Sequence, residues 1–168
     1  VGGDRRSIRR VKLKRDAGKE LIEMSWKDGV IVTDAGEIIA RPGISPEELR
    51  ASPLGASATI EGVSPDYPRI VFNPVVISGY ECCASVGFDH DNLDRVMIVV
   101  TDNTANRFSF VTGFDSRHNG PEVEFLEGWV RQEVGANPPV HFTWGRIVEV
   151  FDTFAGFARI LFIYGARR

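Results

Sequence analysis

The chain lacks most of the features that name a reaction. It has only two cysteines, Cys82 and Cys83, and they are adjacent. Neighbouring cysteines close a disulfide only under strain and cannot staple distant segments, so reduced thiols and a cytoplasmic setting are expected. A signal peptide already removed would leave no mark on the sequence. No strand-linked GxGxxG and no GxxxxGKS occurs, which leaves nucleotide binding through such loops without support. The three histidines, His90, His118 and His141, stand without zinc-ligand spacing.

Long apolar runs are missing too. The greasiest stretch, "FTWGRIVEVFDTFAGFARILFIY" (142–164), is interrupted by Gly145, Arg146, Glu149, Asp152 and Arg159. It falls short of the ~20 apolar residues a membrane helix requires, so no membrane association is expected. Two core strands around a turn near Gly156 account for it better.

What remains is ordinary globular composition: 168 residues, 43% hydrophobic and 26% charged, with a net charge of −3. That length suits a single domain over 1–168. The near-neutral balance gives no overall pull toward nucleic acid. Charge is nevertheless uneven. Residues 1–20 hold eight basic side chains against three acidic ones, a balance of +5 that leaves −8 for the rest. In "IRRVKLKRD" the alternation of Val11 and Leu13 with basic residues reads as a basic edge strand or solvated arm.

Local signals predict an α+β fold. "LIEMSW" (21–26) and "VIVT" (30–33) flank Lys27-Asp28-Gly29, a hairpin signal, and Asp34-Ala35-Gly36 marks a second turn before "EIIA" (37–40). In 41–55, Ser45, Pro46 and Glu48 form a capping-box pattern that opens a helix of about two turns. Strands are expected at 58–63, 69–73, 75–88 and 95–100, with a further one at 106–114. Phe125, Leu126, Trp129 and Val130 recur at helical spacing in 121–135, with Gly135 as the C-terminal cap. "VHFTWGRIVEVFD" and "FARILFIYG" close the chain as strands. The whole predicts a mostly antiparallel, twisted sheet with two short covering helices. A shared order of helix, Phe-Asp, turn, arginine and apolar run raises the idea of two similar units, 37–101 and 121–165, with chance similarity of hairpins as the alternative.

Chemistry-bearing clusters are sparse. "DHDNLD" (89–94) has the acidity of a calcium loop but neither its central glycine nor its late glutamate, so a polar turn is expected and no metal. Cys82 and Cys83 fall on opposite faces of a strand, one inward and one outward, with no nucleophile signature around them. Glu122, Glu124, Glu127 and Glu133 read as a solvated helix face. No catalytic residue and no cofactor are expected. Of the aromatics, Trp129, Phe142 and Trp144 are candidates either for a sheet-on-helix core or for the lining of a small-ligand or lipid cavity. Phe154 and Phe157 flank Gly156 at an expected hairpin tip, where exposed aromatics mark contact surfaces.

The order of strands, "GISPEELRASPLG", strands, "FDHDNLDRVMIVV", a Trp-bearing helix, "TWGRIVEVFD" and a last apolar strand is similar to that of small α+β bacterial immunity proteins, over about residues 37–164. This resemblance implies a non-enzymatic protein that neutralises a cognate secreted toxin by occluding it. It implies no cofactor and one protein partner. The acidic body fits such a role, because opposite charge steers association. The partner-binding candidates are then Asp89, Asp91 and Asp94, with Phe154 and Phe157.

Overall fold

The computed structural model describes residues 25–62, 64–101, 120–152 and 157–165; for Gly120, Pro121, Phe151, Asp152 and Phe157 only the backbone is described. The expected basic strand within 1–20, residues 21–24, the strand at 106–114 and Phe154 lie outside these ranges.

The first described element is a 3-10 turn, Trp26–Asp28, where a hairpin was expected at Lys27-Asp28-Gly29. Gly29, at φ 73°, ends this turn and does not reverse a strand. Its backbone faces the Trp144 ring so closely that a Cβ would stand 2.7 Å from it. The aromatic neighbour, not a hairpin, is the reason for glycine here. The first true hairpin joins β1 (Ile31–Val32) to β2 (Ile38–Ala40) through the Asp34-Ala35-Gly36 turn, as its sequence suggests.

Helix α1 (Pro46–Ala51) starts where its cap predicts. The Ser45 hydroxyl accepts from the Glu48 N–H at 3.1 Å, which is half of a capping box. The other half is absent because the Glu48 carboxylate pairs with Arg41 instead. Helix α2 (Gly120–Val134) ends at Gly135, whose φ of 82° and N–H bond to the Arg131 carbonyl form the expected glycine cap.

The remaining strands form one seven-stranded antiparallel sheet in the order β3-β4-β5-β6-β9-β8-β7. They are β3 (Thr59–Gly62), β4 (Pro68–Ile77), β5 (Tyr80–Asp89), β6 (Asn92–Val100), β7 (Val140–Phe142), β8 (Gly145–Asp152) and β9 (Phe157–Tyr164). Two boundaries differ from the sequence reading. The expected strand 75–88 is cut by a two-residue turn at Ser78-Gly79, where both residues have positive φ, the geometry that matches strand twist. The first three residues of that segment, Val75–Ile77, instead complete β4, with a register shift between Phe72 and Val75. Likewise "VHFTWGRIVEVFD" is not one strand. It folds back at Thr143-Trp144 into β7 and β8.

Strands from both expected units, 37–101 and 121–165, meet in this single sheet, where Val96 of β6 lies opposite Phe162 of β9. Ile70, Phe72, Val86, Val96, Ile98, Ile147, Ile160 and Phe162 are buried at 2% exposure or less. Full burial of such side chains is worth about 1.5–3 kcal/mol each. Both helices and the β1–β2 hairpin pack on the strands, and the 3-10 turn packs on α2 and, through Trp26, on Phe162 of β9. Alternation puts Val71, Ser85, Met97, Leu161 and Val148 in a cross-strand row on the reverse face.

A candidate protein-binding surface

The charged end of the sheet is built by two turns. Strands β5 and β6 are joined by His90 and Asp91 alone, with Asp89 paired to Asn92 across the strand ends. His90 takes a left-handed conformation, φ 55°, which histidine tolerates better than most side chains. Its N–H donates to the Asp66 carbonyl at 2.6 Å, so the β5–β6 turn is tied to the loop between β3 and β4. That loop is itself ordered by Ser64, whose hydroxyl accepts from the Asp66 N–H at 3.2 Å and whose carbonyl accepts from the Tyr67 N–H at 3.1 Å. The Tyr67 ring meets the His90 ring edge-on at 5.8 Å between centroids.

The result is one protruding patch from two turns. Asp66, Asp89, His90 and Asp91 are exposed, and Tyr67 is 57% exposed. The His90 Nδ1 lies 2.8 Å from an Asp89 oxygen. That hydrogen bond, opposed by desolvation and helped by the weaker fields of Asp66, Asp89 and Asp91, raises the imidazole pKa above its ordinary value. Three carboxylates therefore act on one ring. Asp94 differs from the rest, being half-buried and paired with Arg95 at 2.5 Å, so it adds little free charge.

Sequence reasoning found Asp89, Asp91 and Asp94 but missed Asp66 and Tyr67. Asp66 lies 23 positions and Tyr67 22 positions before Asp89, and only strand pairing brings them to the turn. Phe157 is not part of this end. Because β9 runs antiparallel to β6, with Arg95 opposite Ile163 and Ile98 opposite Ile160, Phe157 sits toward the Val100 end of the sheet. The acidic turn and the backbone of Phe157 thus lie at opposite ends of the sheet.

Trp129, Phe142 and Trp144 belong to a chain of ring contacts through the core. Phe142 stacks on Trp144 at 5.3 Å, and Trp144 approaches Phe162 and Tyr164. Phe162 meets Trp26, which meets Trp129, which meets Tyr80. Trp144 donates its indole N–H to the Lys27 carbonyl at 2.8 Å, and Tyr164 donates to the Gly29 carbonyl at 2.9 Å. These rings hold the 3-10 turn against the sheet.

The thiols divide as strand alternation predicts. Cys82 is fully buried and Cys83 half-buried, and neither forms a disulfide. Burial, then the nearby Glu61 charge, push the Cys83 pKa up, which works against a thiolate nucleophile. On α2, Glu133 accepts from the Ser78 hydroxyl at 2.6 Å and from the Trp129 indole at 3.2 Å. Burial raises the pKa of Glu122, and of Glu149 with help from Glu127. Among the described residues no group of three or more His, Cys, Asp or Glu side chains is placed to hold a metal, and no helix is long and apolar enough to cross a membrane.

These features define an α+β protein with a seven-stranded antiparallel sheet. Compared with family models, curated proteins and solved structures, the chain matches none of them.

Proposed function

We propose that the protein is a non-enzymatic binding module that occludes a basic surface on a partner protein, and that the partner is a cognate secreted bacterial toxin. The observation that carries this reading is the His90–Asp66 hydrogen bond. It fuses two turns into a single acidic patch with an exposed tyrosine at its side. Clustered like charge raises encounter rates with an oppositely charged partner. Tyrosine supplies apolar contact and a hydrogen-bonding hydroxyl at low entropic cost, and is enriched at interfaces. In this reading Asp66, Asp89 and Asp91 steer, and Tyr67 anchors.

The test is co-expression with the protein encoded next to this chain. Growth inhibition by that neighbour should be relieved by the wild-type chain, and the relief should be lost in Asp89→Lys/Asp91→Lys while expression is retained. Undiminished protection by the double variant would sink the role of the patch. A neighbour that is harmless and unbound would sink the toxin reading.

A further inference from the structure

We propose that His90 makes the acidic patch a pH-gated surface, which holds a basic partner more tightly at neutral and higher pH and loosens it as acid charges the imidazole. The inference rests on the reading of that patch as the binding surface and adds its regulation. The ring stands in the middle of the patch. Its backbone N–H is fixed on the Asp66 carbonyl, its Nδ1 lies 2.8 Å from the Asp89 carboxylate, and the Tyr67 ring meets it edge-on. The steering carboxylates and the anchoring tyrosine thus surround one titratable group. Neither backbone nor packing calls for an imidazole here. The corner is left-handed, φ 55°, a conformation that asparagine and aspartate also adopt readily, and the side chain is 64% exposed. What sets histidine apart at such a corner is ionisation between about pH 5 and 8.

Among the described residues, charge around the ring runs one way. Asp66 acts on it from the β3–β4 loop, and Asp89 and Asp91 from its own turn; the other titratable neighbour is the Tyr67 phenol. The arginines on the adjoining strands are engaged with acids of their own, Arg69 with Glu61 and Arg95 with Asp94. With the ring neutral, the three carboxylates act undiminished, and the imidazolium offsets one of their charges. Protonation also changes what the ring offers. A neutral ring that donates from Nδ1 to Asp89 presents Nε2 as an acceptor, open to a lysine or arginine N–H, whereas the imidazolium presents a second N–H there and repels the same donor. Both changes disfavour a basic partner. By linkage, a partner that prefers the neutral ring lowers the ring's affinity for its proton by the same factor. The Asp89 hydrogen bond keeps the ring's pKa above its ordinary value of about 6.5, so modest acidification is enough to charge it.

The probe is capped tetralysine, titrated at low ionic strength into the isotope-labelled full chain at about pH 5.5 and about pH 8.5 and followed by NMR. Ordinary lysine titrates near pH 10 and ordinary carboxylates near pH 4, so an imidazole is the kind of side chain that changes charge across this window. Shifts are expected in the amides of Asp66, His90 and Asp91. Binding should be about fourfold weaker at the lower pH, the scale of one unit charge about 5 Å away in water. Saturating probe should move the His90 ring titration down by about 0.6 pH unit, the same factor seen from the proton's side. His90→Asn suits the left-handed corner and keeps a side-chain donor for Asp89; it should bind the probe equally at both pH values. Equal binding by the wild type at both pH values, or pH dependence that persists in His90→Asn, would overturn the gate and leave the patch standing as a binding surface. No shifts at these amides at either pH would overturn the gate together with the reading it rests on.

Discussion

The His90 amide donates to the Asp66 carbonyl at 2.6 Å and so joins two turns that are far apart in sequence. The bond converts separate loop charges into one surface. It predicts that the His90 amide exchanges with solvent more slowly than an open turn amide would. Ser64→Ala, which removes the acceptor of the Asp66 N–H, should speed that exchange severalfold without altering protection in β5 and β6. Hydrogen exchange read by NMR checks both expectations. Equal His90 protection in the wild type and the variant would separate Ser64 from the geometry of the patch.

The His90 imidazole should titrate above its ordinary value because of the Asp89 hydrogen bond and the surrounding carboxylates. A raised folded-state pKa stabilises the fold fully below the ordinary imidazole value, and that contribution fades as pH rises through the raised one. In Asp89→Asn the His90 pKa should move down toward the ordinary value. A proton NMR titration of the ring signals in both proteins measures the difference.

Glu149 gives a pH dependence of the same sign in a lower pH range. Burial and the Glu127 charge raise its carboxyl pKa, so the folded state holds the proton more tightly than the unfolded chain. Stability is then greatest below the ordinary carboxylate range and declines as pH rises through the raised value. Glu149→Gln should raise the melting temperature at about pH 7 and have almost no effect at about pH 3. Melting curves at the two pH values decide it.

Gly29 combines φ 73° with a Trp144 ring atom 2.7 Å from where a Cβ would stand. Gly29→Ala therefore adds backbone strain and a steric clash at once, and should cost at least about 1–3 kcal/mol. Tyr164→Phe removes only the hydroxyl that reaches the Gly29 carbonyl and should cost about 1 kcal/mol. Urea unfolding of both variants measures the ranking.

The two thiols should differ in accessibility. Cys82, with no exposed surface, should resist iodoacetamide until the protein unfolds. Cys83 should react slowly, because burial and Glu61 raise its pKa and the thiolate is the reactive form. Mass spectrometry of labelled protein under native and denaturing conditions separates them.

Much of the architecture was legible because its signals are local. Ser45-Pro46 placed α1, Gly135 ended α2, and alternation set one of Cys82 and Cys83 inward and the other outward. The errors also have local causes. Lys27-Asp28-Gly29 resembles a hairpin, but Trp26 turns inward onto Trp129 and Phe162, and the chain makes a 3-10 turn instead. Ser78-Gly79 was hidden within an apolar run, because both flanking strands are buried on one face and read as continuous. The acidic patch was half legible. Asp89 and Asp91 sit in one turn, but Asp66 and Tyr67 join them only through the pairing of β4 with β5, a non-local relationship that no spacing rule reveals.

The central claim is that the patch around His90 steers a basic protein partner. Its most direct test is the association rate of this chain with the protein encoded beside it, measured by stopped flow across ionic strength. The account predicts fast association at low salt that slows as salt rises. It also predicts that Asp89→Asn/Asp91→Asn lowers the association rate about tenfold while changing dissociation little. Association that is absent, or equally fast in the double variant at every salt concentration, would contradict it.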